Sequence, residues 1–243
     1  MSYPKIKFQK NAEKDWKTIC IFTKEAVYDN GRNLDWAIFN KYHKLKKFFS
    51  LTKKHTISDE KNLRKFIKQT YKNKTALMTA SMNQYKNNWE KVAPFFFKLI
   101  DNLFKTTNWP KGKYIAYGTI WGLFPRFLDD KTFQIPYWHK RPQYISVIIA
   151  HELLHFKFYD YFYKKYPQYN YQKYNYFVWN ISEIFNSIIQ NSPEWLKYFK
   201  LKSLNYPEHE KIISKIARSE YKLASIDIDV LVQKIIIELN KKN

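Results

Sequence analysis

The chain is short of cysteine and glycine and has no long apolar run, and each shortage removes a class of protein. Cys20 is the one cysteine among 243 residues. No disulfide can therefore close within the chain, which excludes a disulfide-stapled miniprotein and fits a reducing compartment. Four glycines cannot build a Gly-rich phosphate loop or a collagen-like repeat. Nothing approaches the roughly 18 consecutive apolar residues of a membrane-spanning helix. The longest apolar runs, Tyr144 to Ala150 and Val230 to Leu239, are short or interrupted by Gln and Lys. The opening MSYPKIKFQK has neither the apolar centre nor the small-residue cleavage site of a secretory signal. The expectation is a soluble, cytoplasmic protein with no membrane span.

Acid is scarce as well. There are 21 Asp and Glu against 43 Lys and Arg, a net charge of +22. Of the basic residues 38 are Lys and 5 are Arg, and Asn, Ile, Tyr and Phe are abundant beside them. All of these have A/T-rich codons, so genome composition explains much of the basicity. Such a field attracts polyanions non-specifically. The lysines are spread over most helical segments instead of being gathered into a block, however, and no specific nucleic-acid role is expected.

What is present is core material. The chain is 45% hydrophobic and 19% aromatic, ample for a large core and opposite to the signature of disorder. Its length suits one domain, or one with a helical extension. Apolar residues recur at three- and four-residue steps from Asn33 to Phe49, again from Ser58, and from Thr75 to Phe104, where Pro94 should kink or split the helix. Lys113 to Gly118 and Thr132 to Tyr137 are rich in Tyr, Ile and Phe and flank turn-formers at Pro125 and Asp129-Asp130. They read as short antiparallel strands.

Tyr144 to about Tyr163 is apolar on nearly every side, the mark of a buried helix. Phe177 to Gln190 is a second such helix, Ser192-Pro193 opens a third, and two amphipathic helices follow from Pro207 and Asp229. The chain thus reads as α+β and predominantly helical. Residues 1–110 form an N-terminal helical part, and residues 111–243 carry a small antiparallel sheet and then the helical half.

The informative residues sit inside the first buried helix: His151, Glu152, Leu153, Leu154, His155. At about 100° per residue the two imidazoles lie about 40° apart, one turn from each other on one face. Two nitrogen donors so placed suit a tetrahedral Zn²⁺ site. Glu152 stands at the edge of that face, where its carboxylate can take a proton from a metal-activated water without ligating the ion. Chance supplies this pattern about 0.007 times in a sequence of this composition, so the match alone is of moderate weight. Its apolar surroundings, Ser146 to Ala150 and Phe156, add to it, because two imidazoles and a carboxylate buried there must be paired or ligating. The plainer reading is a set of hydrogen-bonded core side chains.

HELLH following short strands resembles the zincin metallopeptidases, over residues 111 to 191. The resemblance implies one Zn²⁺ ion, His151 and His155 as ligands, Glu152 as general base, and a peptide or protein as substrate. It also implies that a strand, here Thr132 to Tyr137, aligns the substrate by strand addition. The metzincin continuation is absent, since Phe158 and Tyr161 stand where its Gly and third His would fall. Asp160 could ligate only if the helix broke before it. Glu183, 28 residues after His155 on the second buried helix, is the better third ligand and makes the pattern gluzincin-like. The gap is longer than in the thermolysin-type pattern, and Ser187 stands where that pattern has Asp. Asn186 or Ser187 would then orient the ligands.

Other sequence features weigh less. None of the other Glu residues is followed by His at the Glu152–His155 spacing, against a di-iron bundle. His139 reads as a loop residue, Cys20 as a small core residue, and Tyr171, Tyr174 and Tyr176 as the tyrosines nearest a substrate. A role without catalysis stands as the alternative: an inactive zinc-binding protein, or a basic protein that binds an acidic partner or nucleic acid.

Overall fold

The computed structural model of the chain describes residues 3–24, 41–47, 56–217 and 226–241. In order it contains strand β1 (Lys7–Lys10), helix α1 (Ala12–Lys24), the long helix α2 (Ile57–Phe104), strands β2 (Ile115–Thr119), β3 (Arg126–Phe127) and β4 (Thr132–Pro136), and helices α3 (Tyr144–Lys165), α4 (Asn175–Gln190), α5 (Pro193–Phe199), α6 (Glu210–Ala217) and α7 (Ile228–Asn240). The fold is α+β, mostly helical, with one small sheet. No described helix is long and apolar enough to cross a membrane. The chain groups into two compact units, one of residues 5–86 and 112–142 and one of residues 1–4, 87–111 and 143–243.

The first unit holds the sheet, in the order β1-β2-β4-β3. The antiparallel sheet expected from the sequence is instead mixed. β1 runs parallel to β2, and β2 parallel to β4, with Ala116 opposite Phe133 and Gly118 opposite Ile135. Only β3 and β4 are antiparallel, with Arg126 opposite Phe133. Tyr, Ile and Phe signal a strand but not its direction, which the connection decides. The segment from Ile120 to Lys131 is long enough for a crossover, and its second half folds back as the β3–β4 hairpin. β1 escapes the sequence reading altogether, since its four residues are largely exposed and Lys-rich, as protected edge strands tend to be. β4 is buried along its whole length and lies between β2 and β3. β3 pairs only with Thr132 and Phe133, so the outer edge of β4 from Ile135 onward has no described strand beside it.

Around the sheet, Trp16, Ile19, Leu63, Ile67, Met78, Ile120 and Trp121 form one core, with Cys20 half-buried at its margin. The helix expected over Asn33 to Phe49 falls largely outside the described residues. Within them, His43–Lys47 makes a 3-10 turn that buries Leu45.

One buried charge ties this unit together. The Asp15 carboxylate, fully buried, accepts hydrogen bonds from Tyr71 Oη (2.8 Å), the Ile120 amide (3.0 Å) and Gln134 Nε2 (2.8 Å). Burial pushes its pKa up to about 6 from the ordinary 3.8, against the hydrogen bonds from Ile120, Thr119, Tyr71 and Gln134 that favour the ionised form. The folded chain therefore holds this proton more tightly than the unfolded chain. The contribution to stability is complete below the unfolded pKa and is lost as pH rises through about 6. The full effect is about 3 kcal/mol. The urea midpoint of the wild type, measured against Asp15→Asn, should fall between about pH 4 and about pH 6.5. A difference between the two proteins that is flat over that range would refute the assignment.

The helices expected from Ser58 and from Thr75 are a single helix, α2, which runs through Pro94 without being split. Its start is a reciprocal cap, in which the Asp59 amide donates to Thr56 Oγ1 (3.1 Å) and the Thr56 amide to Asp59 Oδ2 (3.0 Å). Thr75 opens nothing. Its hydroxyl bonds back one turn to the Tyr71 carbonyl (2.7 Å), as interior helical threonines do. At Pro94 one helical hydrogen bond is missing, but rings on either side of it pack together. Trp89 meets Phe96 at 5.4 Å and Phe97 at 6.2 Å between ring centroids.

The second unit is helical. α3 and α4 run antiparallel and share an apolar seam, with Phe158 against Phe185 at 4.9 Å. The α5 start is as the sequence implies: Pro193 occupies the first turn, and Ser192 Oγ accepts from the Trp195 amide at 3.2 Å. α3 buries residues on nearly every side, Lys157 included, whose ammonium donates to the Thr106 carbonyl at 3.1 Å and to the Asn108 carbonyl.

Candidate metal centre

His151 and His155 lie on α3, and the one-turn spacing sets their rings against each other, 4.4 Å between centroids. Glu183 faces them from α4. That helix is buried along its whole second half, so its one acid has no route to solvent and must meet a partner inside. The seam between the helices provides it. His151 Nε2 is 3.2 Å from Glu183 Oε2, His155 Nε2 is 3.2 Å from Glu183 Oε1, and the two Nε2 atoms are 2.8 Å apart. One donor atom from each of the three residues can be taken so that all lie within 4.8 Å of one another.

Burial is unequal among them. The His155 side chain is fully buried and that of Glu183 is 4% exposed, whereas that of His151 is 19% exposed, so solvent reaches the cluster at His151. Burial alone would raise the Glu183 pKa, but the adjacent His155 and His151 rings outweigh it and hold the carboxyl well below its ordinary value. Burial likewise works to lower the His151 pKa, and the Glu183 carboxylate overrides it, with Glu152 and Gln190 adding to the rise. The cluster thus keeps an ionised carboxylate in the interior and stabilises positive charge beside it. With both imidazoles neutral the cluster carries net negative charge, which a cation balances.

The separations fit a small ion. Ligands at about 2.0–2.1 Å from a tetrahedral centre stand about 3.3 Å apart. The two nitrogen–oxygen distances of 3.2 Å match that edge, and the nitrogen–nitrogen distance of 2.8 Å is a few tenths short of it. Two imidazole nitrogens and a carboxylate form a donor set that could hold a divalent metal ion.

The remaining expectations fall on both sides. Glu152 is buried beside the cluster, near enough for its charge to act on the His151 ring. Asp160 is no ligand, because α3 continues unbroken to Lys165 and Asp160 pairs with Lys164 at 2.7 Å. His139 bonds within its own loop, through Nδ1 to Arg141. Tyr171 is exposed, and Tyr174 packs on Tyr169. Asn186 donates to the His151 carbonyl at 3.1 Å and so fastens the two helices through the backbone, while the Ser187 carbonyl takes a bond from Asn191.

Sequence reading missed two neighbours of the rings. Tyr159, one turn after His155, lies with its ring 6.1 Å from the His155 ring, and Ser182 Oγ is 3.3 Å from its hydroxyl. Gln190 places Oε1 2.7 Å from His151 Nδ1. A signal for Gln190 existed: seven residues after Glu183 is about 20° short of two full turns, so the two share a face.

Comparison of the chain with protein-family models, with curated proteins and with solved structures finds no match.

Proposed function

We propose that this chain is a zinc-dependent peptidase of zincin type, gluzincin-like in its ligands. His151, His155 and Glu183 hold one Zn²⁺ ion, and Glu152 is the general base. The observation that carries this reading is the convergence of two imidazole nitrogens and one buried carboxylate within 4.8 Å, next to an acid on the same helix as the imidazoles. Three protein ligands from His and Glu, leaving a fourth position open, is the pattern of catalytic rather than structural zinc. The partial exposure of His151 supplies the way in for water and substrate.

The chemistry such an ion supplies is the acidification of water, to a pKa of about 7, and the polarisation of a carbonyl. The side chains do the rest. Glu152 accepts the proton released as the water oxygen attacks the peptide carbonyl carbon, and returns it to the departing amine nitrogen as the C–N bond breaks. Glu183 and the two rings stay in place, held by a seam that excludes solvent from all but one edge.

The test is cleavage of a denatured protein by the purified chain. Activity should disappear with a chelator and return with one equivalent of zinc. Cleavage that persists in chelator, or none from a chain with zinc bound, would contradict the reading.

A further inference from the structure

Gln190 is wholly buried on the last turn of α4 and uses both ends of its amide. Its Nε2 donates to the Val147 carbonyl at 3.1 Å, and its Oε1 lies 2.7 Å from His151 Nδ1. A carbonyl oxygen can only accept, so the NH₂ end must face Val147 and the oxygen must face the ring. An amide oxygen also only accepts, so the hydrogen of that second contact belongs to His151 Nδ1. In the neutral ring the other nitrogen, Nε2, is then left with its lone pair. Nε2 is the atom 3.2 Å from Glu183 and 2.8 Å from His155.

The alternative arrangement, with the proton on Nε2 and the lone pair on Nδ1, requires the amide to turn over. That would bring Gln190 Oε1 against the Val147 oxygen at the 3.1 Å now bridged by a hydrogen. Two acceptors facing each other in a buried seam are disfavoured. The Val147 carbonyl thus orients Gln190, and Gln190 orients His151.

We propose that Gln190 is a positioning residue that fixes the tautomer and angle of the His151 ring, so that Nε2 meets the metal ion as a ready ligand. The inference deepens the metal-centre reading and rests on it for its purpose, while the tautomer itself does not require the metal. Outer partners of this kind contribute about 10- to 100-fold to metal affinity.

The experiment uses long-range proton–nitrogen NMR of the His151 ring in metal-free protein, at alkaline pH where the ring is neutral, alongside zinc affinity by competition with a chromophoric chelator. The wild type should show the Nδ1–H tautomer. Gln190→Leu removes the acceptor and should shift the ring toward Nε2–H and weaken zinc binding about 10- to 100-fold. A wild-type ring protonated on Nε2 overturns the proposal whether or not any variant folds, and so does a Gln190→Leu protein that keeps the Nδ1–H tautomer. A wild-type protein that binds no zinc yet shows the tautomer switch would remove the metal reading and leave Gln190 in its role.

Discussion

Glu152→Gln should keep its zinc and lose hydrolysis by about 100- to 10,000-fold or more, the range expected when a general base is removed. Glutamine has nearly the same shape, so the buried position stays filled, and its neutral amide cannot take a proton from water. The pairing of the two measurements is what gives the variant its value. Metal content reports on His151, His155 and Glu183, and turnover reports on Glu152. A Glu152→Gln chain that hydrolyses at the wild-type rate with zinc bound would leave the centre intact and dismiss the proposed base. If that variant also bound nucleic acid as the wild type does, with strong salt dependence, a basic binding protein would be the better description.

Glu183→Gln should lower zinc affinity by more than about 100-fold, because removing a ligand costs more than removing a partner of a ligand. The change also leaves two imidazole nitrogens 2.8 Å apart without the carboxylate that now meets both of them. Lower stability should therefore accompany the loss of zinc in the metal-free chain, read as a lower melting temperature. Unchanged zinc stoichiometry at micromolar concentration would take Glu183 out of the coordination sphere and reopen the identity of the third ligand.

The parts of this arrangement legible in the sequence are those in which one helix decides the outcome. His151 and His155 share a face because four residues make about one turn, whatever the rest of the chain does. Glu183 was reached through the resemblance to the gluzincins, in which an acid on a following helix completes the site. The Ser192-Pro193 start was legible because a cap is a local hydrogen bond. Gln190 was not, although its spacing from Glu183 is favourable, because its function lies in a contact to Val147 and His151 across the seam, and nothing in the sequence sets the register of α4 against α3.

Strand direction failed for the same reason on a larger scale. Ala116 and Phe133 look alike in a parallel or an antiparallel pair, and the difference lies in the path of Ile120 to Lys131 between them. The continuity of α2 was obscured by local signals that tertiary contacts override. Thr75 and Pro94 are helix punctuation by propensity, but rings from both sides of Pro94 pack into one aromatic cluster and carry the helix across. Asp15 gave no sign of its importance, since its donors, Tyr71, Ile120 and Gln134 among them, lie far away along the chain.

The most direct measurement is zinc analysis of the purified wild-type protein combined with X-ray absorption at the zinc edge. The account predicts one zinc per chain, bound by two imidazole nitrogens and a carboxylate oxygen at about 2.0–2.2 Å. A chain that takes up no zinc from excess, or that holds it through ligands other than these imidazoles and this carboxylate, would contradict it.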